Sequence, residues 1–164
     1  MITISAFKWV PDFAQGLVRD LRARWALEEA GLPYKTRLLE MGDQDKPDYR
    51  ALQPFGQVPI LEEDGLVLFE SGAIVLHIGE RSEILLPKDA NGRARAAQWL
   101  IAALNSIEPF VMNVAIIDLF YAMSNGRSCA AQGRWSLCRS ACPRSPSRWA
   151  TNPTSMVTAS LRVI

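Results

Sequence analysis

FGQVPILEEDGLVLFESGAIVLHI, residues 55–78, carries the clearest structural signals in this chain of 164 residues. Two short runs of strand-forming residues flank Asp64-Gly65, a dipeptide that strongly favours a β-hairpin turn. An apolar run begins at Ser71 and has the length and composition of a buried helix. The stretch therefore predicts two antiparallel strands followed directly by a helix.

The chain before this stretch has the pattern of a strand, a helix and a second strand. ITISAF (Ile2–Phe7) predicts a short buried strand, and YKTRLLEM predicts the second one. Between them, Asp12 and Gln15 have the spacing of a capping box at a helix start, and Gly31 stands where a helix end favours left-handed backbone. A β-α-β segment of this kind predicts parallel strands joined by a right-handed crossover. Residues 45–56 are predicted to be a short irregular or helical link.

Two dipeptides in the quoted stretch have the chemistry of a binding site. Because cis peptide bonds occur mainly before proline, Val58-Pro59 is predicted to be cis and to leave the N–H and C=O of Val58 free for a peptide-like ligand. An ordinary edge-strand proline would give the same sequence. At the strand-to-helix junction, the Ser71 hydroxyl and the first N–H groups of the helix can bind a carboxylate, and Glu70 can bind an ammonium group. Alternatively, Ser71 only caps its helix.

The region after a Pro- and Gly-containing linker predicts one long helix, RARAAQWLIAALNSIEPFVMNVAIIDLF, at residues 93–120. Its apolar residues recur at alternating spacings of four and three, as in a helix buried in a bundle. Pro109 lacks an N–H and is predicted to kink the helix. One apolar helix needs partner helices to cover it, and these would have to follow residue 120.

FGQVPILEEDGLVLFESGAIVLHI, together with RARWALEEAGLPYKTRLL (residues 22–39), strongly resembles cytosolic glutathione transferases of bacterial type. The similarity runs from Ile2 to about Leu119. It implies an α/β protein with a thioredoxin-like, glutathione-binding domain in residues 1–82. It also implies that residues 83–122 begin an all-α C-terminal domain, which is truncated in this chain.

The resemblance implies glutathione as co-substrate, a small electrophile as second substrate, and a homodimer. Val58 would hold the cysteinyl backbone of glutathione, and Glu70 with Ser71 would hold the γ-glutamyl end. Lys46 or Arg50 could meet the glycine carboxylate, although a solvated surface charge is the favoured interpretation of each. The residues assigned to the glutathione site are Gln57, Val58, Glu70 and Ser71, with Pro59 as the structural cis-proline.

The residue that would activate the glutathione thiol is missing from the expected place. Members of the family usually carry Tyr, Ser or Cys just after the first strand, whereas FKWVPDFAQG (residues 7–16) has neither a hydroxyl nor a thiol. Lys8 is the cation of this loop, and Asp12 opposes it, so no catalytic residue is assigned. Ser5 is expected to pack within its strand and His77 to be structural. Two functions stay open: conjugation or reduction of small electrophiles, and a non-catalytic glutathione-binding module.

Composition excludes several other classes of function. No apolar run approaches the roughly 20 residues that span a bilayer, and the N-terminus does not resemble a signal peptide. The sequence thus predicts a soluble cytoplasmic protein without a membrane partner. Cys129, Cys138 and Cys142 have no neighbouring His and no C-x-x-C spacing, so no metal site is expected. The Arg residues of the last third are evenly spaced, which argues against nucleic-acid binding.

The last third of the chain has an unusual composition. All 17 acidic residues lie before Tyr121, and residues 121–164 carry six Arg, no Lys and all three Cys. We expect residues 123–164 to be an out-of-frame, poorly ordered tail. In the alternate frame, Trp149-Ala150 and Met156-Val157 each force a glycine codon. The remaining codon choices permit LGDKPYLDGDRFTAGD, which resembles a loop and helix start of the family.

Overall fold

A four-stranded mixed sheet forms the centre of the computed structural model, which describes residues 1–120. The strands are β1 (Ile2–Phe7), β2 (Tyr34–Leu39), β3 (Leu61–Glu63) and β4 (Leu66–Leu68), in the sheet order β2-β1-β3-β4. The first two strands are parallel, with Ile2 opposite Tyr34, which confirms the predicted β-α-β pairing. β3 pairs antiparallel with both β1 and β4.

The hairpin between β3 and β4 turns at the predicted dipeptide. Asp64 and Gly65 have φ angles of 48° and 85°, the positive values that a two-residue hairpin turn of type I′ requires. Glu63 and Leu66 face each other on either side of the turn. The Asp64-Gly65 signal is therefore confirmed.

The first helix begins later than the sequence predicted. Asp12–Ala14 forms only a 3₁₀ turn, and helix α1 spans Asp20–Ala30. The capping box is wrong, because the Gln15 amide donates to the Asp12 carboxylate (3.0 Å) and Gln15 itself is extended, with ψ of 131°. Leu17, which lies between the 3₁₀ turn and α1, is 57% exposed. The helix ends as predicted, with Gly31 in the left-handed conformation at φ 65°.

The sheet buries apolar residues on both of its faces. Helix α2 spans Pro47–Arg50, and helix α3 spans Ser71–Gly79. The larger core joins β1 and β3 to α1 and α3, and a smaller core on the opposite face holds Tyr49 and Val58. Alternation along β1 explains the division, since side chains two residues apart share a face. The smaller core consists of Leu39, Tyr49, Val58 and Ile60, with Phe7, Val18 and Leu52 packed against it.

The predicted long helix is continuous but contains a wider turn before its proline. Helix α4 spans Ala90–Ala102, a π-helical turn spans Ala103–Ile107, and helix α5 spans Glu108–Phe120. Pro109 cannot donate to a carbonyl one turn earlier, and a π turn is a known way to accommodate that loss. The disruption predicted at Pro109 thus takes the form of a π turn. Asp89 caps the start of α4 by accepting the N–H of Gly92 at 2.7 Å.

The segment Ala90–Ile116 is long and apolar enough to cross a membrane, judged by length and composition alone. It is the single helix of residues 1–120 that meets this criterion. The core helix of a soluble protein meets the same criterion. Polar residues interrupt the apolar run of this segment, among them Asn105 and Glu108.

The fold class predicted from the sequence is confirmed. A mixed sheet flanked by helices forms an α/β, thioredoxin-like N-terminal domain, and helices α4 and α5 follow it. Predictions about Cys129, Cys138, Cys142 and the tail of residues 123–164 fall outside the described residues.

Candidate functional site

A cavity of about 480 Å³ lies between the N-terminal domain and the helical segment that follows it. Its walls come from α1, from the link before β3, from the start of α3 and from the π turn and α5. The lining residues are Arg19, Arg22, Gln53, Gln57, Val58, Pro59, Glu70, Ser71, Leu104, Asn105, Glu108, Pro109, Met112 and Asn113. The structure therefore brings together all five residues that the sequence assigned to the glutathione site.

The Val58-Pro59 peptide bond is cis, as predicted. The Val58 side chain is buried in the smaller core with Ile60, and Val58 also lines the cavity. Among residues 1–120, no group hydrogen-bonds to the N–H or C=O of Val58. One donor and one acceptor of the main chain are thus available to an extended ligand.

Glu70 and Ser71 form the second recognition element, where β4 passes into α3. Glu70 has φ 69° and ψ 112°, a conformation that costs a non-glycine residue about 1–3 kcal/mol. Its carboxylate is exposed and makes no ion pair within residues 1–120. The Ser71 residue is 5% exposed and stands at the first turn of α3. This junction places an unpaired anion beside free helix N–H groups.

The Ser71 hydroxyl does not cap its helix. Within residues 1–120, no side chain caps the N-terminus of α3, and the Ser71 hydroxyl oxygen instead accepts a hydrogen bond from the Arg22 guanidinium at 3.3 Å. Because a guanidinium can only donate, the hydroxyl proton stays available for an acceptor in the cavity. The alternative in which Ser71 serves only as a cap is therefore wrong.

An ion-pair cluster that sequence analysis missed lies in the same cavity. Arg19 Nε donates to Glu108 Oε1 at 2.8 Å, and an Arg22 terminal nitrogen donates to Glu108 Oε2 at 2.9 Å. The side chains of Arg22 and Glu108 are each 10% exposed. Burial raises the pKa of the Glu108 carboxyl, but the hydrogen bonds and charges of Arg22 and Arg19 outweigh it, so that this pKa lies below its usual value.

The sequence did contain a signal for this cluster. Glu108 is the only acidic residue between Asp89 and Asp118, on an otherwise apolar helix. A buried lone acid needs a cationic partner. Arg19 and Arg22 are three residues apart at the start of α1, on one face of the helix, and so can share one carboxylate.

The cations proposed for the glycine carboxylate lie elsewhere. Lys46 pairs with Asp43 at 2.6 Å, and neither residue lines the cavity. Arg50 donates to Asp45 at 2.7 Å and to the Pro54 carbonyl at 2.8 Å, also outside the cavity wall. Both are engaged in surface ion pairs, which is the alternative that the sequence left open.

Two other residues considered in the sequence also lie outside the cavity. Lys8 pairs with Glu40 at 2.6 Å rather than with Asp12, and the hydrogen bond and charge of Glu40 raise the pKa of Lys8. His77 contacts Arg81 through Nε2 at 2.9 Å and lies near Glu63. Within residues 1–120, no group of three His, Cys, Asp or Glu side chains could hold a metal ion.

A second cavity of about 550 Å³ lies along α1 and contains none of the residues predicted for the site. Its polar wall includes Arg24, whose Nε is buried without a hydrogen-bond partner in the described part of the chain. Arg24 also pairs with Asp20 at 3.4 Å. Burial raises the pKa of the Asp20 carboxyl, and Arg24 lowers it by less.

Comparison with known proteins gives a consistent result. Residues 15–80 match the family "Glutathione S-transferase, N-terminal domain". The chain is 34% identical over 104 residues to the glutathione S-transferase-like protein gedE of Aspergillus terreus, an alignment that covers 60% of this chain and 46% of that protein. The chain spans about half the length of the curated relatives it matches.

Solved structures share the fold. A glutathione S-transferase from Pseudomonas fluorescens superposes with a TM-score of 0.78 at 23% identity, over 99% of this chain and 81% of that one. A glutathione transferase from Burkholderia graminis, solved with two glutathione molecules bound per subunit, has a TM-score of 0.71 at 25% identity, over 85% of this chain and 58% of that one. Residues 15–80 of this chain therefore form a glutathione S-transferase N-terminal domain.

Proposed function

We propose that this chain binds glutathione in the first cavity and presents its thiol to a small electrophile, which is conjugated or reduced. The observation that carries the proposal is the convergence of three unsatisfied groups in one cavity. Among residues 1–120, these are the peptide group of Val58, the carboxylate of Glu70, which makes no ion pair, and the hydroxyl proton of Ser71, which has no acceptor.

Glutathione offers complementary groups in the required order. The N–H and C=O of its cysteinyl residue pair with the C=O and N–H of Val58, as an added strand would. Its γ-glutamyl end carries an ammonium and a carboxylate on one carbon. Glu70 takes the ammonium, while Ser71 and the first N–H groups of α3 take the carboxylate. Gln57 borders the cysteinyl position and is a weaker contact.

Orientation and thiol acidity account for the proposed chemistry. Fixing glutathione at both sites holds the thiol at one place, which reduces the entropic cost of bringing it together with a second reactant. A thiolate is the reactive form, and positive charge stabilises it. Arg19 and Arg22 supply positive charge to the cavity, although Glu108 neutralises part of it. We assign no side chain as the group that activates the thiol.

A binding experiment tests the glutathione site. Titration calorimetry should show one glutathione bound per chain, and Glu70→Gln should weaken it. The same substitution should leave the affinity for a glutathione analogue that lacks the α-amino group nearly unchanged, because its counter-charge is absent. Glu62→Gln, outside the cavity, is the matched control. Absence of glutathione binding by the wild-type chain would refute the proposal.

The second candidate function is a non-catalytic glutathione-binding module. It is favoured by the loop of residues 7–16, which carries no hydroxyl or thiol. Incubation with glutathione and a halogenated nitroaromatic, with the conjugate quantified by chromatography, separates the two functions. Conjugate above the enzyme-free rate identifies a transferase, and glutathione binding without turnover identifies the module.

We also propose a homodimer as the assembly and the cytoplasm as the location. Phe55 is 61% exposed and packs edge-on against the partly exposed Phe69, with ring centroids 6.0 Å apart. An exposed aromatic pair is typical of a contact surface. Sedimentation at several concentrations tests the dimer, and Phe55→Ser should shift it towards monomer. Fractionation of expressing cells tests the location.

The tail of residues 123–164 is proposed to be translated out of frame. Its support is compositional, since the sequence from Tyr121 onward has six Arg, no Lys and no acidic residue. Nucleotide sequencing of the coding region decides the matter. An alternate frame that restores acidic residues and encodes LGDKPYLDGDRFTAGD is expected. Stop codons in that frame would end the proposal. Restoring the frame is expected to raise conjugating activity, because the helical domain would then be completed.

A further inference from the structure

Two buried hydroxyl groups lie directly behind the segment that carries Val58. Ser5 on β1 and Tyr49 on α2 are 1% and 2% exposed, and their oxygen atoms are 2.9 Å apart. The Tyr49 hydroxyl donates to the carbonyl of Gln57 at 2.8 Å. The Ser5 hydroxyl accepts the N–H of Ile60 at 2.8 Å. Neither side chain lines the cavity.

The number of protons fixes the direction of this hydrogen-bond chain. A peptide carbonyl only accepts, so the single phenol proton of Tyr49 goes to Gln57. Tyr49 can then only accept from Ser5, whose own oxygen already accepts from Ile60. Burial raises the pKa of the Tyr49 phenol, and its hydrogen bond with Ser5 lowers it by less, so the phenol remains protonated and continues to donate.

The hydrogen bonds of Tyr49 and Ser5 attach both ends of the segment Gln57–Ile60 to one pair of hydroxyls. The Ile60 end is further fixed to the sheet, because the Ser5 N–H donates to the Ile60 carbonyl at 3.0 Å. The Val58 side chain packs with Tyr49 in the smaller core. The two residues between the ends, Val58 and Pro59, therefore have little freedom to rotate.

We propose that Tyr49 and Ser5 are positioning residues that aim the Val58 peptide group at the cysteinyl part of glutathione. The inference rests on the proposed function, since it concerns the same ligand. Preorganisation of this kind raises affinity by reducing the ordering that binding would otherwise require. Neither hydroxyl touches the ligand, and their effect passes entirely through the segment Gln57–Ile60.

The test uses the full chain with Tyr49→Phe, which removes the phenol oxygen and keeps the ring. By titration calorimetry, glutathione binding should weaken about 3- to 10-fold, the effect of one hydrogen bond. Tyr34→Phe is the matched control. It removes a phenol that donates to Glu28 at 3.0 Å, away from the first cavity, and glutathione affinity should stay unchanged.

A second ligand separates positioning from general loosening. In a depsipeptide analogue of glutathione, an ester oxygen replaces the cysteinyl N–H that pairs with the Val58 carbonyl. If Tyr49 acts through Val58, the fold-loss caused by Tyr49→Phe should be smaller for the analogue than for glutathione. Ser5→Ala should show the same pattern, and it provides the test if Tyr49→Phe does not fold.

Each result has a definite meaning. Unchanged glutathione affinity in folded Tyr49→Phe would overturn the inference, as would an equal fold-loss for both ligands. Failure of both Tyr49→Phe and Ser5→Ala to fold would also overturn it, because the hydroxyls would then serve folding rather than positioning. A wild-type chain that does not bind glutathione would instead remove the proposed function itself.

Discussion

Replacement of Glu108 by Gln tests the ion-pair cluster that joins α1 to α5. The carboxylate is 10% exposed and accepts hydrogen bonds from Arg22 at 2.9 Å and Arg19 at 2.8 Å. Breaking a buried pair by removing one partner costs about 3–5 kcal/mol. The Arg19 side chain is 39% exposed, so its share is smaller. Because a Gln oxygen can still accept one hydrogen bond, we expect a loss of about 2–3 kcal/mol in the free energy of unfolding.

Urea unfolding followed by circular dichroism measures this loss, with Glu62→Gln as the control. Glu62 pairs with Arg37 at 2.9 Å, and these side chains are 33% and 42% exposed. A pair of this kind contributes up to about 1 kcal/mol. Equal losses of unfolding free energy in the two variants would refute the claim that the Glu108 ion pairs contribute more than an exposed pair.

The dependence of stability on pH gives an independent check on Glu108. Burial raises the pKa of its carboxyl, but Arg22 and Arg19 together lower this pKa by more than burial raises it. The folded-state pKa therefore lies below the unfolded value. The unfolded chain therefore binds more protons in acid. The stabilisation by Glu108 is present above the unfolded pKa, about 4.3, and is lost as the pH falls through the folded pKa. Glu108→Gln should flatten this acid limb of the stability curve.

Three further substitutions have definite expected outcomes. Ser71→Ala should weaken glutathione binding by about 1–3 kcal/mol in calorimetry, since it removes a hydrogen bond to a charged group; unchanged affinity would place the γ-glutamyl end elsewhere. Asp89→Ala should lower stability by about 1 kcal/mol through loss of the cap on Gly92, whereas Asp89→Asn should be nearly neutral; equal losses would contradict the capping role. Gly72→Ala should lower stability by about 1–3 kcal/mol, because an added Cβ would collide with Leu104. Leu104→Ala in the same chain should recover part of that loss, and strict additivity would argue against the collision.

Local signals in the sequence located the hairpin, the cis-proline and the helix end at Gly31. Each depends on one or two residues with strong backbone preferences, which act before tertiary contacts form. Asp12 and Gln15 gave a wrong prediction of the helix start because their side chains have competing partners. The two side chains bond to each other, and the helix begins only at Asp20. Short polar residues offer the backbone several alternatives of similar energy.

The residues of the candidate site also divide into those that local sequence signals could locate and those that they could not. Val58, Glu70 and Ser71 could be located because they lie at strand and helix boundaries within one short stretch. Arg19, Arg22 and Glu108 could not, since their partnership spans 86 to 89 residues of sequence and exists only once α5 lies against α1. A lone acid on an apolar helix indicates a partner but does not say which cation it is. The hydrogen bond between Ser5 and Tyr49 could not be predicted either, because it joins residues that are 44 apart in the sequence.

The order of elements along the chain also has a consequence for biosynthesis. All four strands and the groups proposed to bind glutathione, from Gln57 to Ser71, precede α4. Domains generally fold as units during synthesis, with the N-terminal one first. The recognition half of the cavity can therefore fold before residues 90–120 have emerged from the ribosome. Glu108 emerges after this half of the cavity. On a nascent chain, its ion pairs with Arg19 and Arg22 would therefore join two parts of the protein that are completed at different times.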